Sequence, residues 1–257
     1  MYPEIHFHSW SLSTYFLTIS LTFCLMFLYL RRRAHRFGFS VVDVLDLAML
    51  TTVFGFLGAR LFFVFYESPQ YFFEHPLSIF SFWEGGFVFF GGLFSALVAG
   101  FIYLKWKKIP VLSTLNLMAP VLALGYSLGR LACFFQGCCY GKPTHSPLGL
   151  HFTPLIDAGE TVARYPTQLF ASFGELIVFL LILFLEKYGH KKNKFMSNSL
   201  FFIWMMGHGL NRMIMEIFRD DPRGPLIGGM GISFWIALGL TSTGFFLLWK
   251  QRRSSNL

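Results

Sequence analysis

Seven apolar runs of roughly 20 residues, at about 11–30, 43–65, 87–104, 113–135, 167–186, 198–218 and 229–249, dominate this chain. A helix of that length covers the roughly 30 Å of a bilayer's hydrocarbon. The runs therefore predict an all-α polytopic membrane protein of about seven transmembrane helices, forming one domain over residues 1–257. Charged residues make up 13% of the sequence, about half the share of a water-soluble domain. Continuous runs in place of short alternating strands argue against a β-barrel. The second run is the least clean, because it carries Asp43, Asp46 and Arg60.

Basic residues orient the spans. Arg31, Arg32, Arg33 and Arg36 follow the first span, and Lys105, Lys107 and Lys108 follow the third. Lys187, Lys191, Lys192 and Lys194 follow the fifth, and Lys250, Arg252 and Arg253 follow the seventh. With seven crossings all four clusters share one side, which the positive-inside rule assigns to the cytoplasm. The N-terminus is then outside and the C-terminus cytoplasmic. The net charge of +8 is mostly this topology signal. The clusters are short and next to spans, without a nucleic-acid motif between them, so they read as headgroup anchors and not as a nucleic-acid surface. No basic region precedes the first span, which argues against a cleavable signal peptide.

Arg60, Arg130, Lys142, Arg164, Arg212, Arg219 and Arg223 remain, within spans or on the outer side. Ionisable residues at membrane depth are costly and point to function, with snorkelling or a structural ion pair as the rival explanation. In "GHGLNRMIMEIFRDD", His208, Arg212 and Glu216 repeat at i, i+4 and i+8, and Arg219 follows. Helical geometry places all four on one face. Arg60, Arg130 and Arg212 are expected to converge from three helices near the outer half of the membrane. Guanidinium forks suit phosphate oxygens and keep their charge. A phospholipid headgroup is the ligand such a pocket would take from within the bilayer. Gly85, Gly86, Gly91 and Gly92 in "WEGGFVFFGGLF" allow a helix or a lipid to approach the backbone closely.

"GRLACFFQGCCYG" adds three cysteines beside Arg130. Cys133, Cys138 and Cys139 lack the pair spacing of a zinc site, and no paired histidines follow, so no metal is assigned. Apolar packing, a disulfide from Cys133 to Cys138 or Cys139, and a nucleophile activated by Arg130 are the readings open to them.

Several blocks together resemble the bacterial phosphatidylglycerol–prolipoprotein diacylglyceryl transferases. "GRLACFFQGCCYGKP" is similar to the signature of that family, in which Gly-Arg is followed by Asn-Phe, a second Asn, a Glu and a closing Gly. "GARLFFVFY", "HPLSIFSFWEGGFVFFGGL", "ARYPTQLFASFGELIVF" and "NRMIMEIFRDDP" resemble further family blocks in the same order, over about residues 12 to 223. The resemblance implies seven helices and transfer of diacylglyceryl from phosphatidylglycerol to the lipobox cysteine thiol of a prolipoprotein signal peptide. Glycerol phosphate is released, no cofactor is needed, and the site faces outward from the inner membrane. It implies catalytic roles for Arg130, Arg212 and Glu216, with Tyr15 at the place of a first-helix tyrosine. Arg60, Arg130, Gln136, Gly141, Arg219, Gly91 and Gly92 are the substrate-binding positions it points to.

Departures from the pattern accompany the matches. Phe90 stands where the family has the His before Gly-Gly, and Phe90 accepts no proton. Cys133, Gln136 and Cys138 replace Asn, Asn and Glu; Asn116 replaces an Asp, and Tyr165 a His. His208, one turn before Arg212 at a family tyrosine position, is the candidate replacement for the missing base. Two other functions stay open: a transferase with a different acceptor, and a non-catalytic protein that binds or moves phospholipid.

Overall fold

The computed structural model describes residues 4–7, 10–67, 69–81, 85–152, 162–192, 198–220 and 226–255. Lys194 and Arg223, counted among the charges above, and Trp83 and Glu84 of the glycine block lie outside the described residues. A short hairpin, β1 (Glu4–Phe7) with β2 (Trp10–Ser13), leads into helix α1 (Thr14–Arg36). Helix α2 (Val41–Phe62) runs on into a π-helical turn (Phe63–Glu67). Then come α3 (Pro69–Glu74), a 3₁₀ turn (Pro76–Phe80), α4 (Phe89–Trp106) and α5 (Val111–Gln136). The two-residue strands β3 (Leu150–His151) and β4 (Ala163–Arg164) precede α6 (Thr167–Lys192) and α7 (Leu200–Phe218). β5 (Leu226–Ile227) and β6 (Met230–Gly231) form a last hairpin before α8 (Ile232–Ser255).

Among the described residues, six helices are long and apolar enough to cross a membrane: α1, α2 with its π-turn, α4, α5, α6 and α8. The remaining expected span, 198–218, is the helix α7, and His208, Asn211, Arg212 and Glu216 lower its hydropathy. The all-α membrane class is as the sequence reading has it. Two threonines inside α1 are satisfied locally. The hydroxyls of Thr18 and Thr22 donate to the carbonyls of Thr14 and Thr18 at 2.7 and 2.8 Å, the back-bond that lets a threonine sit in hydrocarbon.

Helix ends are closed by the same device three times. After α1, α4 and α5 the chain turns through a residue of positive φ: Gly38 (72°), Lys108 (56°) and Gly137 (76°). In each case the next amide donates back to a carbonyl five residues earlier, as Phe39 to Ala34, Ile109 to Leu104 and Cys138 to Cys133. This is the Schellman closure, which satisfies carbonyls that the helix leaves open.

The chain clusters into two compact units, Leu30–Thr114 and Met1–Tyr29 with Leu115–Leu257. In the first, α2 packs on α4 through glycines. A side chain at Gly92 would lie 2.7 Å from the Gly55 carbonyl, and one at Gly58 or Gly91 would strike Ser95 or Phe62. Arg60, 3% exposed, spends its donors on backbone carbonyls. Nε reaches Ile79 at 3.2 Å, Nη2 reaches Ser78 at 2.8 Å and Ser81 at 3.2 Å, and Nη1 reaches Gly85 and Gly86. A guanidinium has five N–H donors, and all five are taken, so Arg60 holds the loop before α4 together and is not available for phosphate. Gly91 and Gly92, expected at the substrate, lie at the close α2–α4 contact.

In the second unit, Ala119 and Ala123 of α5, Val178 and Ile182 of α6 and Leu200 of α7 make a shared core. Asn116 joins α5 to the start of α7: its Oδ1 accepts from the Phe201 amide at 2.9 Å and its Nδ2 donates to the Asn198 carbonyl at 2.8 Å. A carboxylate at this position would lack the second bond, which accounts locally for Asn in place of Asp.

Gly92→Val is expected to destabilise the α2–α4 pair by about 1–3 kcal/mol, the usual range for overpacking. Gly55→Ala, whose new atom meets its neighbours at an ordinary 3.8 Å, is expected to change little. Thermal unfolding of the two purified variants in detergent checks the contrast, and equal melting points would discount the glycine contact.

Candidate active site

The second unit gathers its chemistry where α5 ends. Gly137 stops the helix and folds the chain back, so that Cys138 lies over the last turn and its amide donates to the Cys133 carbonyl at 3.1 Å. Cys139 then takes a positive φ of 62°, a conformation that side chains other than glycine seldom adopt. Two buried residues of α6 hold the strained loop: Thr167 Oγ1 donates to the Cys139 carbonyl at 2.7 Å, and Gln168 Nε2 to the Cys138 carbonyl at 2.6 Å.

Gly141 closes the loop against two other segments. Its amide donates to the Tyr165 carbonyl at 2.9 Å, and it bridges Arg219 in antiparallel fashion. A Cβ at Gly141 would lie 2.7 Å from the Phe218 carbonyl and 2.7 Å from Thr167. Only glycine permits that approach, so the resemblance's suggestion of a substrate-binding Gly141 takes the form of a backbone junction that sets Arg219 beside the cysteine loop.

Arg219 does not share the face of His208, Arg212 and Glu216, as the spacing predicts. Helix α7 ends at Phe218, and Arg219 has extended dihedrals (φ −86°, ψ 152°). The bridge to Gly141 pulls it off the helix. In this position it is 9% exposed and close enough to Arg130 and Cys139 for the charges to be felt. Tyr15 of α1 lies half-buried in the same neighbourhood, within electrostatic reach of Arg130, Cys133, Cys138 and Cys139. Gln136, the last residue of α5, is exposed. Phe90, at the family histidine position, is also exposed.

Arg130 lies over the ring of Tyr126, one turn back, at 4.7 Å, and its Nη2 donates to the Tyr126 hydroxyl at 2.7 Å. The Tyr126 ring in turn meets His208 edge-on at 4.6 Å. His208 stacks on Trp204 at 5.2 Å, and its Nδ1 lies 3.0 Å from Glu175 Oε2. Glu175, in the middle of α6, has no exposed surface. It also accepts from Trp204 Nε1 at 3.1 Å and from Asn211 Nδ2 at 3.1 Å. In the tautomer that donates from Nδ1 to Glu175, the ring has an accepting lone pair on Nε2.

Arg212 and Glu216 pair along α7 at 3.5 Å, and Ser233 donates to the same Glu216 oxygen at 2.9 Å. The unit thus assembles Arg130, Arg219, Tyr15 and the cysteine loop, a Glu175–His208 pair joined to Arg130 through Tyr126, and the Arg212–Glu216 pair. Glu175, Tyr126, Trp204 and Asn211 were not among the sequence candidates. A signal existed: Glu175 is an acid inside an apolar span, and Trp204 and Asn211 share the helical face of His208.

The cysteines are all free thiols, and no disulfide joins Cys133 to its neighbours. Spacing argues against a shared site, yet the fold-back brings the Sγ atoms of Cys133, Cys138 and Cys139 within 4.8 Å of one another. Contact with the Cys133 and Cys138 thiols, helped by Arg219 and Arg130, holds the Cys139 thiol below its ordinary range. Contact with the other two, together with burial, pushes the Cys138 thiol up. Iodoacetamide near neutral pH is therefore expected to alkylate Cys139 before Cys138, because the thiolate is the nucleophile. Peptide mass spectrometry reads the order, and preferential labelling of Cys138 would reverse the assignment.

Comparison with known proteins bears on the whole chain. Residues 4–250 match the family described as prolipoprotein diacylglyceryl transferase. A Clostridium tetani phosphatidylglycerol–prolipoprotein diacylglyceryl transferase is 32% identical over 85% of this chain and 84% of its own length. The Geobacter sulfurreducens protein of the same name is 34% identical over 88% of each chain, and that of Cupriavidus metallidurans is 29% identical over 85% and 79%. Both the shared length and the order of the matched blocks lead to one conclusion: this chain belongs to the prolipoprotein diacylglyceryl transferase family.

Proposed function

We propose that this membrane protein transfers the diacylglyceryl group of phosphatidylglycerol to the lipobox cysteine thiol of prolipoproteins, at the outer face of a bacterial inner membrane. The observation that supports the reading is a half-buried Arg130 within electrostatic reach of the buried Arg219, beside a strained loop, with a Glu-supported imidazole linked to Arg130 through Tyr126. Its chemistry requires charge stabilisation at phosphate and removal of one thiol proton.

The thiol sulfur of the peptide attacks the glyceryl carbon that carries the phosphate. A C–S bond forms, and the C–O bond to phosphate breaks with its electron pair staying on oxygen. Arg130 and Arg219 stabilise charge on the departing phosphate, where preorganised cations act most strongly. His208 Nε2 takes the thiol proton, since Nδ1 is committed to Glu175. Glycerol phosphate leaves, and the thioether stays on the peptide. Arg212, held by Glu216, adds positive charge from α7. The acceptor thiol arrives with the substrate, so the reaction needs none of the protein's own cysteines.

Purified protein, phosphatidylglycerol and a lipobox peptide are expected to yield the diacylglyceryl mass increment on the peptide. Arg130→Ala should lower the rate on the order of 100–1,000-fold, the range for losing one stabilising donor. Lipid consumed without peptide product would indicate a different acceptor, and lipid bound but not consumed would indicate a non-catalytic protein.

His208→Ala should lose on the order of 100-fold or more, as removal of a general base does. Glu175→Gln acts through His208, so adding it to His208→Ala is expected to cost little further, because residues working as one unit are not additive. Wild-type turnover by His208→Ala would remove the histidine from the mechanism.

A further inference from the structure

We propose that Cys133, Cys138 and Cys139 form a three-sulfur site for a soft metal ion, with monovalent copper the best-matched occupant. The inference is independent of the transferase reading, which uses no cysteine of the protein.

Three features argue for a built site over a chance cluster. The Sγ atoms already lie within 4.8 Å of one another. Three thiolates around one ion at about 2.3 Å would be about 4 Å apart, so closure needs a shift of about 1 Å or less. The backbone that presents them is held in place: Gly137 turns the chain, Cys139 keeps an unfavourable positive φ, and the buried Thr167 and Gln168 pin the two adjacent carbonyls. Strain of that kind persists only where its surroundings over-determine it, and it collects at functional sites.

Ligand number and charge choose the metal. Among the described residues no fourth His, Cys, Asp or Glu joins the cluster. Structural zinc takes four ligands, whereas soft thiolate sets select monovalent copper, for which three sulfurs suffice. The ion takes all three sulfurs as thiolates, so each one still protonated gives up its proton to solvent, and the copper–trithiolate has charge −2. Arg130 and Arg219, both within electrostatic reach of Cys139, offset it. No electron moves in the step, because the ion enters in its monovalent state.

The test uses the full-length protein in detergent, reduced and freed of reductant under anaerobic conditions. Monovalent copper is added in competition with a chromophoric copper(I) chelator. One equivalent per chain is expected to resist the chelator. Cys133→Ser and Cys139→Ser should each weaken retention on the order of 100-fold, at least the loss seen when a metal site is deprived of a supporting contact. Cys24→Ser, at the exposed cysteine outside the cluster, should retain copper fully. X-ray absorption on the copper-loaded wild type counts the sulfurs directly and does not depend on any variant folding. Three sulfurs at about 2.3 Å are expected. Nitrogen or oxygen scatterers, retention unchanged in Cys133→Ser, or a fully reduced protein that holds no copper would each overturn the proposal.

Discussion

A polar group inside a hydrocarbon layer has no water to turn to, and that constraint organises most of what is distinctive here. Unsatisfied polar groups at membrane depth cost several kcal/mol each by general estimates, about the scale of a whole tertiary contact. Arg60 answers with five backbone carbonyls, Glu175 with three N–H donors from α7, and threonines with the carbonyl one turn back. Each solution also fixes geometry. The Arg60 cage shapes the loop ahead of α4, and the Glu175 network sets the rotation of α7 against α6.

The site follows from two glycines and the residues around them. Gly137 ends α5 and reverses the chain, while Gly141 lets the returning strand pass against Phe218 and Tyr165. Together they bring the ends of α5 and α7 to one place, which is why Arg130 and Arg219, far apart in sequence, act on the same loop. Cysteines stand at the family's Asn and Glu positions, and an imidazole supported by Glu175 stands in α7 while Phe90 is exposed.

Helical periodicity carried the polar face of α7 well as far as Glu216 and failed at Arg219. A period of 3.6 residues assumes that the helix continues, and the bridge to Gly141 ends it. Arg60 shows the opposite difficulty: its charge and depth were legible, but not its partners, because carbonyls of a loop 18 to 26 residues away carry no sequence signal. The lack of zinc-type spacing argued against a shared cysteine site, yet spacing rules assume a regular turn between ligands, and a helix stop followed by a positive φ is not one.

The sequence by itself determined the solvent, the helices and the family, because apolar length, block order and residue type are local properties that survive without coordinates. Only the tertiary structure decided which arginines face a site and which hold a loop, that Glu175 supports His208, and that three thiols meet. Those outcomes depend on where a helix stops and on which backbone groups are left to be satisfied, and both are settled by packing between segments distant in the chain.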